Sequence, residues 1–96
     1  MNVDFTSVRN QHEQAVFQAV LDALPRYPGL AERPDLLADV ACVVLNRLQP
    51  RYIRHEVDYA FYLTERERAA QERAITESVE FAFEFVQARA AMRARR

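Results

Sequence analysis

Asp39-Val40-Ala41-Cys42-Val43-Val44-Leu45-Asn46-Arg47-Leu48-Gln49-Pro50-Arg51-Tyr52 decides the fold, because in it an apolar helical stretch runs straight into a proline. Together with the residues just before them, Leu36, Leu37, Val40, Val44 and Leu48 recur at helical spacing and mark the face that would be buried. Pro50 has no backbone N–H and disfavours α geometry in the residue before it, so the helix must end near Leu48. At its start Pro34 fits the first turn, where a missing N–H costs nothing, and Asp35 complements the positive end of the dipole.

Working outward, Val8, His12, Ala15, Val16, Ala19, Val20 and Ala23 share one face of an earlier helix, for which Thr6 or Ser7 can supply the cap. Pro25, Pro28 and Gly29 end it in a linker that runs to about Arg33. Beyond Pro50, Val57, Tyr59, Phe61 and Leu63 alternate with Asp58, Ala60 and Tyr62, the pattern of an extended segment or short strand. Thr64-Glu65-Arg66-Glu67 spells a capping box, and no Gly or Pro interrupts the chain from there to Arg96. The pattern predicts a third helix from Glu65 to about Arg93. Its apolar positions, Ala70, Ala74, Phe81, Phe85 and Ala88 together with Ile75, Val79, Ala82, Val86 and Ala90, form a stripe wider than two short helices can cover. The expected fold is all-α: a single domain over residues 1–96, three helices with a short extended connection between the second and third, paired as a homodimer through the surplus apolar surface.

Composition narrows the function. Thirteen Lys+Arg balance fourteen Asp+Glu, a net charge of -1, which removes any global electrostatic argument for nucleic acid or an anionic membrane. All thirteen basic residues are arginine, consistent with a compositional bias, since they are scattered. Cys42 cannot form an intrachain disulfide, and its apolar neighbours suggest a small buried hydrophobe. With His12 and His55 far apart and no Cys-x-x-Cys spacing, no metal site is expected. Met1 to Thr6 has no signal-peptide pattern, and the apolar run Val40–Leu45 falls far short of the ~20 residues of a membrane span, so a cytoplasmic protein is expected.

An enzyme is not expected either. A single glycine excludes a Gly-rich phosphate loop, and Glu56 and Asp58 flanking His55 would not cooperate with it by adjacency in an extended segment. Binding fits better. Guanine offers acceptors at O6 and N7 that suit an arginine fork, N1–H and N2–H donors that suit a carboxylate, and faces for stacking. Arg47, Arg51, Arg54, Asp58, Tyr52, Tyr59 and Tyr62 supply all of these within residues 47–62. The same residues also suit ordinary structural roles: Arg47 on the carbonyls of the second helix, Tyr52 and Tyr59 half-buried, Arg54 with Asp58 as a surface pair. The arginines Arg89, Arg93, Arg95 and Arg96 suit the negative end of a helix dipole.

The stretch Asp39 to Tyr52 resembles the late competence development protein ComFB family, whose hallmark is an apolar helix ending in Leu-Asn-x-Leu-Pro-Pro-x-Tyr. The likeness extends through Asn10 and Glu13 and through Arg54-His55-Glu56-Val57-Asp58. Two departures stand out: Gln49 replaces the first proline, and the linker Pro25 to Asp35 lacks the cysteines that look like metal ligands in some members. The resemblance implies a small helical homodimer that is no enzyme but a receptor for the bacterial second messenger cyclic di-GMP, with an unidentified downstream protein partner. It assigns Arg47 and Arg51 to phosphate or the guanine O6/N7 edge, Tyr52 or Tyr59 to stacking and Asp58 to the N1/N2 edge. Arg54 and His55 are secondary candidates, and Asn46 would cap the second helix. The competing expectation is a ligand-free homodimeric adaptor linked to competence or motility regulation.

Overall fold

The computed structural model describes residues 1–55, 57 and 63–95. Its elements run β1 (Arg9–Asn10), α1 (His12–Ala23), two 3-10 turns (Leu24–Arg26 and Pro28–Leu30), α2 (Pro34–Arg47), β2 (Tyr52–Ile53) and α3 (Glu65–Ala94). The molecule measures 51 × 39 × 19 Å. Its thinnest dimension is two helix diameters, because α1 and α2 form one layer and α3 the other. Among the described residues, no helix is long and apolar enough to cross a membrane.

The core lies between the layers. Val16 and Val20 of α1, Val40 and Val44 of α2, and Val79, Ala82 and Phe83 of α3 meet there, and Phe83 stacks on Tyr27 with centroids 4.2 Å apart. Small β-branched side chains from α1 and α2 leave room for this one large ring. Leu36 and Leu48 close the two ends of the α2 row. The Thr64 box forms as expected: its hydroxyl accepts from the Glu67 amide at 3.1 Å, and the Glu67 carboxylate accepts from the Thr64 amide at 3.2 Å.

Four expectations need correction. The first helix begins at His12, not near Thr6 or Ser7; Thr6 instead bonds Asp4, and the Asn10 side chain takes the His12 amide. Val8 therefore lies outside the helix, in a turn closed by its amide on the Phe5 carbonyl, and is exposed; Ala15 is exposed as well. Cys42 is exposed, because two residues past Val40 is a rotation of about 200°. Val57 is helical and exposed, so the extended pattern does not hold at its first residue. Strand pairing stops at Ile53 opposite Arg9, since the next partner, Val8, is committed to its own turn. Tyr59 and Phe61 of the alternating pattern lie outside the described residues.

The third helix carries two apolar faces, as its wide stripe implied. Ile75, Val79, Ala82 and Val86 face the core, whereas Phe81, Phe85, Ala88 and Met92 face outward at four-, three- and four-residue spacing.

Candidate functional site

The turn after α2 is built by the N-terminal segment. Leu48 leaves the helix in an extended conformation (φ −88°, ψ 144°), as a residue near Pro50 must, and drops its side chain into the core. Three consecutive residues then grip Gln49 and Arg51. The Asn10 side-chain carbonyl accepts from the Arg51 amide at 3.2 Å, the Gln11 amide donates to the Arg51 carbonyl at 2.7 Å, and His12 Nε2 donates to the Gln49 carbonyl at 3.1 Å. The two-residue ladder of β1 with β2 continues the grip, pairing Asn10 with Tyr52 and Arg9 with Ile53.

His12 is the centre of this clamp. Because a carbonyl can only accept, Nε2 carries the ring proton and Nδ1 is left to accept from the Gln71 side-chain amide of α3 at 3.1 Å. The neutral imidazole thus ties α1, the turn and α3 together while 94% of its surface is withdrawn from water (6% exposed). Burial holds its pKa below the ordinary 6.5; the Gln49 carbonyl pulls the other way, and the positive Arg51 adds to the lowering. A cleft of about 400 Å³ opens beside the clamp, lined by Gln49, Pro50 and Arg51 on one side and Leu63, Ala70 and Gln71 on the other.

The structure divides the residues expected to share one site. Arg51 lines the cleft beside His12, and Tyr52 follows it in β2, largely exposed. Arg54 reaches back to the N-terminal segment, donating from Nε to the Ser7 hydroxyl at 3.3 Å, and His55 is exposed. Asp58 and Tyr59 lie outside the described residues. Arg47 is elsewhere: its guanidinium lies over the Phe81 ring of α3, 3.8 Å from the centroid. Phe81 in turn stacks on Phe85 (5.8 Å, 19°), and Arg89 sits 5.7 Å from the Phe85 centroid. Asn46, expected to cap α2, donates instead to the Cys42 carbonyl one turn back within the helix.

Sequence reasoning placed Phe81 and Phe85 on an apolar stripe and Arg89 in a basic tail, without joining them to Arg47. The spacing of residues 81, 85 and 89 marks one helical face, but Arg47's place above it depends on how α2 crosses α3, which no local pattern encodes. Gln49 also gains an explanation. Its described bond is through the carbonyl, which a proline would equally provide, so the departure from the hallmark leaves the clamp intact.

Residues 9–90 match the family model described as late competence development protein ComFB. The matched range starts at the first residue of β1 and so includes the clamp, the first two helices and all but the last turn of the third. No curated protein matches the chain.

Proposed function

The chain belongs to the late competence development protein ComFB family, and from that premise we propose that it is a non-enzymatic receptor for cyclic di-GMP in the bacterial cytoplasm. The observation that carries this reading is the Arg47 guanidinium held over the Phe81 ring, 3.8 Å from its centroid. A guanidinium stacked on a ring keeps its N–H groups in the plane and directed outward, where they can grip a phosphate or the O6/N7 edge of guanine. Arg51 and Tyr52, set by the clamp on the exposed turn, offer a second cation and a stacking surface. A planar, doubly anionic ligand matches a cation set against a ring, as Arg47 is on Phe81, whereas the net charge of -1 gives a long polyanion little to hold. Asp58 and Tyr59 complete the proposed ligand set, with Arg54 and His55 in support.

The receptor acts as a homodimer that passes ligand occupancy to a downstream protein. The outward row Phe81, Phe85, Ala88 and Met92 supports this, since among the described residues no third layer covers it. Isothermal calorimetry tests the reading. Binding heat is expected at cyclic di-GMP concentrations on the order of tens of micromolar, with Arg47→Ala and Arg51→Ala each weakening affinity about tenfold or more. Silence from the parent protein, or variants indistinguishable from it, would overturn the proposal.

A second reading, the ligand-free adaptor, has its own support in a groove of about 560 Å³ between α1 and α2, walled by Phe17, Leu21, Leu37, Ala41 and Leu45. It requires that a partner be captured equally with and without the nucleotide.

A further inference from the structure

The groove between α1 and α2 has no residue of α3 in its lining, so it opens to solvent on the outer face of the α1–α2 layer, and nothing among the described residues covers it. On the α1 wall Phe17 and Leu21, one turn apart, are 40% and 57% exposed. Opposite them Leu37, Ala41 and Leu45 repeat every fourth residue, a row about 12 Å long that has room for apolar side chains two turns apart on a third helix. The amide at its edge, Asn46, donates back to the Cys42 carbonyl at 3.0 Å, so the groove offers more to an apolar side chain than to a polar ligand. Its surroundings are acidic. The two helices carry four carboxylates, Glu13, Asp22, Asp35 and Asp39, and a single guanidinium, Arg47, which is turned onto Phe81 of α3. Arg33 meets Asp35 at 3.6 Å, whereas Asp22 accepts from the neutral Gln18 amide at 2.9 Å and keeps its charge. Two copies joined groove to groove would set these acids against one another, and an anionic membrane would be repelled.

We propose that this groove receives an amphipathic helix of a partner protein whose apolar row is flanked by lysine or arginine. Apolar side chains at i, i+4 and i+7 enter between Leu21 and the Leu37–Leu45 row, and the long cationic side chains lie over the walls toward Asp22 and Asp39, which follow the lining residues Leu21 and Ala38 in the chain. Hydrophobic contact holds the helix, and the carboxylates select it over an acidic one. The groove shares no residue with the row Phe81, Phe85, Ala88 and Met92, so a partner helix and a second copy can be held at the same time. The inference rests on the existence of a partner protein, which both readings of the function require, and it does not depend on the nucleotide.

Fluorescence anisotropy with labelled model helices of about 15 residues tests it on the full chain. One peptide carries leucines at i, i+4 and i+7 between lysines, a second has glutamates in place of the lysines, and a third scrambles the first so that no apolar face forms. The lysine peptide is expected to bind with a Kd on the order of tens of micromolar, and the other two at least about tenfold more weakly. Leu21→Gln and Ala38→Arg, both at exposed positions, should each weaken the lysine peptide about tenfold while keeping the parent's melting temperature, and Met92→Glu should leave its binding unchanged. Asp22→Asn combined with Asp39→Asn should bring the lysine and glutamate peptides close to one another. Equal binding of all three peptides, or Leu21→Gln and Ala38→Arg binding like the parent, overturns the inference. So does a parent mass above that of a dimer in light scattering that Leu21→Gln returns to the dimer, because the occupant is then another copy. Heat from cyclic di-GMP without peptide binding removes the groove proposal alone. Peptide binding without such heat keeps the groove and removes the receptor reading, and peptide binding that appears only with cyclic di-GMP keeps the groove and removes the ligand-free adaptor.

Discussion

At the residue scale, His12 carries the most consequence for the least sequence signal. It looked like one more member of an apolar helical face, and burial bears that out, but its two ring nitrogens join three segments that no spacing rule connects. Replacing it with alanine leaves the Gln49 carbonyl and the Gln71 amide without this partner; a loss of about 2 kcal/mol is expected in urea unfolding. The pH dependence has a definite sign. The unfolded chain takes up a proton at the ordinary 6.5 and the folded one only at lower pH, so the contribution of His12 is complete above 6.5 and is lost as pH falls through the folded value. Melting temperatures followed downward from pH 7 should therefore drop more steeply for the parent than for His12→Gln. Gln49→Pro should act in the opposite direction. Leu48 already has the extended backbone that a following proline demands, so the substitution removes freedom from the unfolded chain alone, worth about 0.5 kcal/mol and roughly 2–4 °C in melting temperature.

At the scale of elements, what was legible in the sequence is what local chemistry dictates. Pro34 and Pro50 bracket α2, and Thr64 with Glu67 opens α3, because missing amides and reciprocal side-chain bonds act within a few residues. Thr64→Ala should cost about 1 kcal/mol and raise amide hydrogen exchange over the first turn of α3 while leaving residues near Phe83 protected. The start of α1 was misread because hydroxyls at Thr6 and Ser7 look like caps until Asn10 is known to serve both the His12 and the Arg51 amides. The arginine cluster misled for a similar reason. Arg47 and Arg51 are four apart in sequence, yet Leu48 turns the chain between them, so one meets α3 and the other the His12 cleft.

At the scale of the whole molecule, the two-layer slab leaves both of its outer faces with apolar grooves or stripes, and the stripe on α3 is the one whose width was evident beforehand. Light scattering at micromolar concentration should give twice 11.2 kDa, and Met92→Glu, placed on the outward row but away from the Phe81 and Phe85 rings, should return the monomer mass. A parent protein of monomer mass would remove the dimer from the proposed mechanism.

The bond from Asn10 to Arg51 spans 41 positions, and the short ladder beside it spans similar distances. Chain closure on that scale is slow compared with helix growth, so docking of the N-terminal strand is expected to limit folding. The second helix can form early, but Arg51 and Tyr52 acquire their positions only when the residues before His12 dock. Asn10→Ala should then show whether docking belongs to the barrier: a slower refolding arm means it does, and a faster unfolding arm alone means the turn is fastened last.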